Sequence, residues 1–250
     1  MLTYNEFAQD YNNKRKRPWQ SFIEFFDNLK NMGYNFNGTI IDLGCANGRH
    51  FRTIKTKKNR LIGIDSSIEF VNIAKERIKK DFKNKIDINK IQIILSDMNF
   101  LPFREKKINI FFSIATIHHI HTDISRRRLF SNLHYVMKNN AMILFSVWRR
   151  WQKKYRKYFL KDSFKRKLIL NFNKKQIAQN LIDFGDINIP WNLASKKKVI
   201  NRYYHFFSLK ELKKLLRIFY IEKIRKLGGP GNNDNFFILA KKKYELTNGK

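Results

Sequence analysis

Between Thr39 and Lys138 short β-branched runs alternate with stretches of helical periodicity. That alternation allows few folds other than parallel strands joined by crossover helices. TIIDLG (residues 39–44), RLIGID (60–65), KIQIIL (90–95), KINIFFSI (107–114) and AMILFSV (141–147) read as five strands. Residues 67–80 read as a helix with Phe70, Ile73, Ala74 and Ile78 on one face and a cap at Ser66 or Ser67. Residues 125–138 repeat the pattern with Leu129, Leu133 and Val136 under a cap at Thr122 or Asp123. A capped helix over 208–217 precedes FYIEKI (219–224) and NFFILAKK (235–242), which form an antiparallel pair around the turn Gly228-Gly229-Pro230-Gly231. The expected fold is therefore α/β and Rossmann-like: a mostly parallel seven-stranded sheet flanked by helices, with an antiparallel last strand.

A chain of 250 residues suits one domain, 1–250, with a full-sized core. Residues 1–35 read as an N-terminal helical cap carrying Trp19, Phe22, Ile23 and Phe26 toward the sheet, and residues 149–200 as a basic insertion before the last helix and strand pair. The chain holds 52 Lys and Arg against 20 acids, a net charge of +32, on a background that is 43% hydrophobic. So much apolar material excludes disorder, and the charge invites a polyanion. Drift toward AT-rich codons competes as an explanation, because Lys, Asn and Ile are abundant together. In the insertion 15 Lys and Arg face 3 Asp, and Trp148, Trp151, Tyr155, Tyr158 and Phe159 interleave with Arg149, Arg150, Lys153, Lys154, Arg156 and Lys157. That pattern fits a nucleic-acid surface or an amphipathic helix with its aromatics in the core. The single Cys45 excludes an internal disulfide and reads as a small packed thiol in a reducing compartment. No apolar run approaches the roughly 18 residues of a membrane span, and residues 1–10 lack a signal-peptide layout, so a cytoplasmic protein without membrane contact is expected.

IIDLGCANG (residues 40–48) ends a strand and opens a helix, where missing side chains let a ligand approach backbone N–H groups. A dinucleotide fingerprint needs a small residue at position 49, which is Arg. Asp42, Gly44, Ala46, Asn47 and Gly48 instead resemble the acidic-x-Gly-x-Gly-x-Gly loop of S-adenosylmethionine-dependent methyltransferases, with Ala46 in the middle place. Asp65 closes the next strand, beside Ser66, where a carboxylate accepts hydrogen bonds from ribose hydroxyls. Asp97 and Met98, after the third strand, suit the adenine amino group and ring, and Ser113 and Ala115 at the end of the fourth complete the expected cofactor set. On the following loop, His118 and His119 read as residues lining the transfer site. Adjacent histidines point apart and no third ligand is spaced for zinc, so no metal is expected.

Longer strings carry a narrower resemblance. Asp97 to Phe103 (DMNFLPF), Ser113 to Ile120 (SIATIHHI), Ile189-Pro190-Trp191, and Arg202-Tyr203-Tyr204-His205-Phe206-Phe207 resemble the tRNA methyltransferases that esterify carboxymethyluridine at the wobble position. The opening, with Tyr4, Ala8, Tyr11 and Arg15-Lys16-Arg17-Pro18-Trp19, and the close, with Asn233-Asp234-Asn235-Phe236-Phe237, are similar too. The resemblance implies a class I methyltransferase fold, S-adenosylmethionine as cofactor, tRNA as substrate and a small zinc-binding activator protein as partner. It implies that Arg202 and His205 hold the acceptor carboxylate, that Tyr203 or Tyr204 stacks on the uracil, and that His118 borders the transfer site. Arg15, Arg17, Trp19, Trp148, Arg149, Arg150, Trp191 and Asn192 then fall to the substrate surface. The sequence departs from the family at Ala46, at Phe207 where members often carry Tyr, and in the short stretch between Trp191 and Arg202. The glycine loop and Leu101-Pro102-Phe103 also occur in methyltransferases acting on quinones and sterols, so a small-molecule methyltransferase stays open, as does a non-catalytic RNA-binding subunit keeping the fold.

Overall fold

The computed structural model describes residues 4–83, 88–194 and 198–243. Seven strands form one sheet: β1 (Gly38–Leu43), β2 (Asn59–Asp65), β3 (Ile91–Leu95), β4 (Ile108–Ile114), β5 (Met137–Trp148), β8 (Phe219–Leu227) and β9 (Asn235–Lys242), in the order β3-β2-β1-β4-β5-β9-β8. β1 to β5 run parallel, and β9 is antiparallel to both β5 and β8. The strand order reverses between β1 and β4, which opens a crevice at the carboxyl ends of the strands.

Parallel strands need both faces covered, and neighbouring residues supply one face each. Ile41, Phe111, Ile143 and Phe145 meet α5 (Asp123–Val136) and α8 (Leu209–Leu215) through Leu129, Leu133, Leu212 and Leu215. Their neighbours Ile40, Ile110, Phe112 and Leu144 meet α2 (Gln20–Asn31), α3 (Phe51–Ile54) and α4 (Ile68–Phe82) through Phe22, Phe26, Ile54 and Ile78. Three helices start on hydroxyl caps: Ser67 accepts from Phe70 N–H, Thr122 from Ser125 N–H, and Ser208 from Glu211 N–H inside a full capping box.

Outside the sheet, periodicity fails to show several elements. Residues 186–205 form a hairpin, β6 (Asp186–Asn192) with β7 (Val199–His205), joined through a stretch whose residues 195–197 lie outside the described ones. A 3₁₀ turn (Tyr4–Phe7) and α1 (Ala8–Lys14) lead the chain, and α6 (Arg156–Leu168) and α7 (Phe172–Ala178) occupy the basic insertion. Within that insertion Tyr155, Tyr158 and Phe159 turn inward beside Trp148 and Phe206, while Lys153, Lys154, Lys157 and Lys161 face solvent. Apart from exposed Trp151 and buried Arg150, the interleaved aromatics pack inward and the charges lie toward the surface. Among the described residues no helix is long and apolar enough to cross a membrane.

Candidate active site

The loop after β1 turns sharply beneath the crevice. Gly44 has φ +67°, and a Cβ there would lie 2.1 Å from Cγ2 of Thr116, so only glycine fits between β1 and the β4 loop. Ala46 also takes a left-handed φ of +47°, a conformation costing an alanine about 1 kcal/mol or more, which explains glycine in the corresponding family position. Its N–H donates to Asp65 Oδ2 at 2.9 Å, and Ser67 N–H donates to Oδ1 at 3.0 Å. Asp65 is thus held at the mouth of the crevice with lone pairs to spare. Burial raises its pKa, opposed by the backbone hydrogen bonds of Ser67, Ala46 and Ser66.

Asp42 lies deeper. Its Oδ2 is buried without a partner, and burial followed by the Asp65 charge pushes its pKa up to about 8 against the pull of Arg49. Asn47 is fully buried: its amide donates to Asn12 Oδ1 and Arg15 O, both at 2.9 Å, while its own Oδ1 finds no partner. Two orphaned acceptors beside a loop of small residues, with a carboxylate at the end of the next strand, fit the hydrogen-bond donors of S-adenosylmethionine. Cys45 is buried, and burial pushes its thiol well above the usual value, as befits a packed residue.

The rest of the expected cofactor set divides. Ala115, at φ +58°, stays partly accessible with its N–H on Ser146 Oγ at 3.0 Å. Ser113 is wholly buried and donates to Leu43 O at 3.3 Å, so it braces β1 against β4 and cannot touch a ligand. Ser66 is exposed, and Ser67 is the residue that caps the helix. Asp97 is exposed, with Oδ1 accepting from the backbone and side-chain amides of Asn99 at 2.8 and 2.9 Å. Met98 packs against the core face that carries α5.

Above this crevice sits the hairpin. Residues directly opposite in an antiparallel pair share a face and successive residues alternate, so Ile200, Arg202 and Tyr204 lie with Trp191, Ile189 and Ile187. The Arg202 guanidinium rests 4.3 Å from the Trp191 ring centre, 5.1 Å from Tyr204 and 5.6 Å from Phe7. No carboxylate among the described residues pairs with it, and its Nε is buried without an acceptor. Tyr204 stacks on Trp148 at 4.5 Å and on His118 at 5.0 Å. Tyr4 meets His119 edge-on at 5.9 Å and lies within the electrostatic reach of both Asp65 and Arg202; burial first and then Asp65 push its hydroxyl up to about 12.

Both histidines of the loop are deprived of charge. Burial drives His118 well below its usual value, reinforced by His119 and Arg202, and His118 Nδ1 has no partner. Burial takes His119 to about 4, although its Nδ1–H donates to Tyr203 O at 2.9 Å. Neutral at pH 7, they line the site, and their lowered basicity makes them poor proton acceptors.

The other half of the Arg-Tyr-Tyr-His string faces away, which corrects two expected roles. His205 is fully buried, with Nδ1 2.6 Å from Asp186 Oδ1 and Nε2 2.5 Å from Glu211 Oε1, so neither nitrogen reaches an acceptor carboxylate. Tyr203 donates its hydroxyl to the same Asp186 oxygen at 2.7 Å and does not stack in the site. Arg150, expected on the tRNA surface, is buried too, bonding Glu211 at 2.6 Å and Phe206 O at 3.0 Å. Asp183 joins this network through Arg126 at 2.5 Å. Asp183, Asp186 and His205 stand close enough to cage a cation, but each already bonds Arg126, Tyr203 or another member, and two arginines border the group.

The remaining expected substrate residues scatter. Arg149 bonds Asn233 twice at 2.8 Å. Trp19 packs on Phe237 at 5.2 Å, beneath the sheet crossing rather than over the crevice. Arg15 lies 5.7 Å from the Trp191 ring, Arg17 is exposed, and Asn192 is exposed with its carbonyl accepting from Lys14 at 2.8 Å. Unforeseen are Phe7, Tyr11 and Phe70, which roof the hairpin face; their spacing is too short for a periodicity to announce it.

Comparison with known proteins agrees with this arrangement. Residues 40–140 match the family model of the methyltransferase domain. A solved S-adenosylmethionine-dependent methyltransferase of Methanosarcina mazei superimposes with a TM-score of 0.68 at 20% identity, covering 87% of this chain and 98% of that one. The chain has the class I S-adenosylmethionine-dependent methyltransferase fold. Among its relatives, an Encephalitozoon cuniculi protein named as a methyltransferase is 25% identical over 85% of this chain and 81% of its own length. The tRNA (carboxymethyluridine(34)-5-O)-methyltransferase of Schizosaccharomyces pombe is 22% identical over 96% of this chain and 94% of its own. Matches to proteins of that name from Xenopus tropicalis and Arabidopsis thaliana span only 23% and 31% of those longer chains.

Proposed function

We propose that this methyltransferase esterifies the carboxylate of 5-carboxymethyluridine at the wobble position of tRNA in the cytoplasm. The observation that carries the reading is Arg202: a half-buried guanidinium, framed by three aromatic faces, with no acid among the described residues to neutralise it. A planar fork left unpaired beside a cofactor crevice suits a carboxylate, and Trp148, the partly accessible ring of the stack it makes with buried Tyr204 and His118, offers a flat surface for a base. Bound S-adenosylmethionine supplies an electrophilic methyl on its sulfonium, and a carboxylate is already ionised at neutral pH. No general base is needed, which agrees with two histidines whose basicity burial lowers. Arg202 orients the acceptor, and orientation at about 3 Å is worth several kcal/mol of barrier.

Two features support β3 as the strand on which the zinc-binding activator expected from the resemblance pairs. β3 is an outer strand whose sequence, Ile-Gln-Ile-Ile-Leu, carries no charge, and Leu95 and Phe100 beside it are 51% and 73% exposed. At the opposite edge β8 carries Glu222, Lys223, Arg225 and Lys226, the usual protection against strand addition.

The test is single-turnover transfer of labelled methyl to tRNA bearing carboxymethyluridine, with the activator present. Arg202→Ala should leave cofactor affinity intact and cut transfer about a hundredfold, and Lys at that position should rescue little, since a point charge does not reproduce the fork. Wild-type transfer by the alanine variant would remove Arg202, and with it the acceptor reading.

A further inference from the structure

The N-terminal segment is fastened to the hairpin at the residue that frames Arg202. Asp10, on α1, accepts from the Trp191 indole N–H at 2.7 Å through one carboxylate oxygen and from Ala194 N–H at 3.1 Å through the other. Lys14 neutralises that carboxylate at 2.7 Å and donates to Asn192 O at 2.8 Å. Although burial opposes ionisation, the bonds from Lys14, Ala194 and Trp191 hold the Asp10 carboxyl below its ordinary value.

A tryptophan's second side-chain torsion is broad, so packing alone fixes its ring plane loosely. Phe7 and Tyr11 lie against Trp191 at 5.9 and 6.0 Å, which limits its tilt, and the single directional bond on the ring is the one to Asp10. Arg202 has no carboxylate partner among the described residues, so ring faces define its place, and Trp191 is the nearest at 4.3 Å. We propose that Asp10 is a positioning residue for methyl transfer: by holding the Trp191 N–H it fixes the ring face on which the Arg202 guanidinium rests, and so aims the fork at the acceptor carboxylate. The proposal rests on the reading of Arg202 given above. Lys14 masks the Asp10 charge, so this acid stands close to an anionic acceptor without repelling it. A functional group displaced by about 1 Å can cost a hundredfold in rate, which gives such a brace leverage.

The experiment is a cycle of Asp10→Ala, Trp191→Phe and the double variant in the full chain, read by single-turnover transfer and by calorimetry with S-adenosylmethionine. Asp10→Ala should raise KM for tRNA or lower transfer about tenfold while cofactor affinity holds. In the Trp191→Phe background the same change should add nothing, because phenylalanine offers no N–H to hold. Asp10→Asn, whose amide oxygen still accepts from the indole, should recover part of the loss. Additive losses would overturn the proposal and leave Asp10 a tether for α1. A second readout needs no acceptor. The four indole N–H signals in a ¹⁵N spectrum include that of Trp191, assigned by its disappearance in Trp191→Phe. Asp10→Ala should shift that signal and the Arg202 Nε–H signal together, and two unmoved signals would overturn the proposal. If the wild-type protein transferred no methyl to carboxymethyluridine, the acceptor reading would fail while the spectra still decided the brace.

Discussion

His205 and Asp42 show how buried titratable residues of the site's own strings bear on stability. His205→Ala removes hydrogen bonds to the buried Asp186 and the partly buried Glu211 and opens a cavity, so it should cost about 2–4 kcal/mol in denaturant unfolding. Cofactor affinity should persist in the folded fraction, and unchanged stability with lost transfer would restore His205 to the site. Asp42 works in the opposite sense. The folded, cofactor-free chain keeps its proton to about pH 8, whereas an unfolded aspartate loses it near pH 4. Between those values folding stability falls as pH rises. Asp42→Asn keeps the shape without titrating, so its Tm should exceed that of the wild type at pH 8, with the gap closing toward pH 5. A chain of this size moves roughly 2–4 °C for each kcal/mol. Parallel Tm curves for the two proteins would show that another group titrates.

At the scale of elements, the basic insertion separates charges that build the fold from charges free to meet a polyanion. Arg150 and Arg166 are tied to Glu211 and Asp162, while Lys153, Lys154, Lys157 and Lys161 project from the start of α6 and the loop before it. Reversing those four lysines to Glu should flatten the salt dependence of tRNA binding by about one log–log unit for each phosphate they no longer neutralise, with the melting temperature retained. A slope near zero in the wild type would leave codon drift as the better account of the charge. The hairpin makes a related division: one strand presents Arg202 and Tyr204 to the crevice and locks Tyr203 and His205 to Asp186 behind it.

For the molecule as a whole, the two edges of the sheet differ in what they offer a partner strand. Placing lysine at Leu95 or Phe100 should abolish co-purification with the zinc-binding activator and leave the isolated chain's fold intact, because both side chains are exposed. Lysine at Tyr220, an exposed residue on the β8 edge, should leave co-purification unchanged. Equal loss from both edges would reject strand addition at β3.

The crossover sheet and the cofactor loop were legible because their signals are local: alternation along a strand, a cap, a small residue where the backbone turns, an acid closing the next strand. Those same local signals placed Asp42, Gly44, Ala46 and Asp65 at the crevice. Period two also states that Arg202 and Tyr203 point apart, but it does not say which of them meets the ligand. That depended on register against β6 and on Asp186, which draws Tyr203 and His205 to itself from 17 and 19 residues away. Whether an arginine is surface or core was equally invisible, since Arg149 and Arg150 are neighbours of one type and Glu211 waits 61 residues on for the second alone. The bond that Trp191 donates to Asp10 spans 181 residues. A sequence carries the chemistry of each partner, and only the closed fold brings a carboxylate and an indole within 2.7 Å, because burial leaves each of them little other choice.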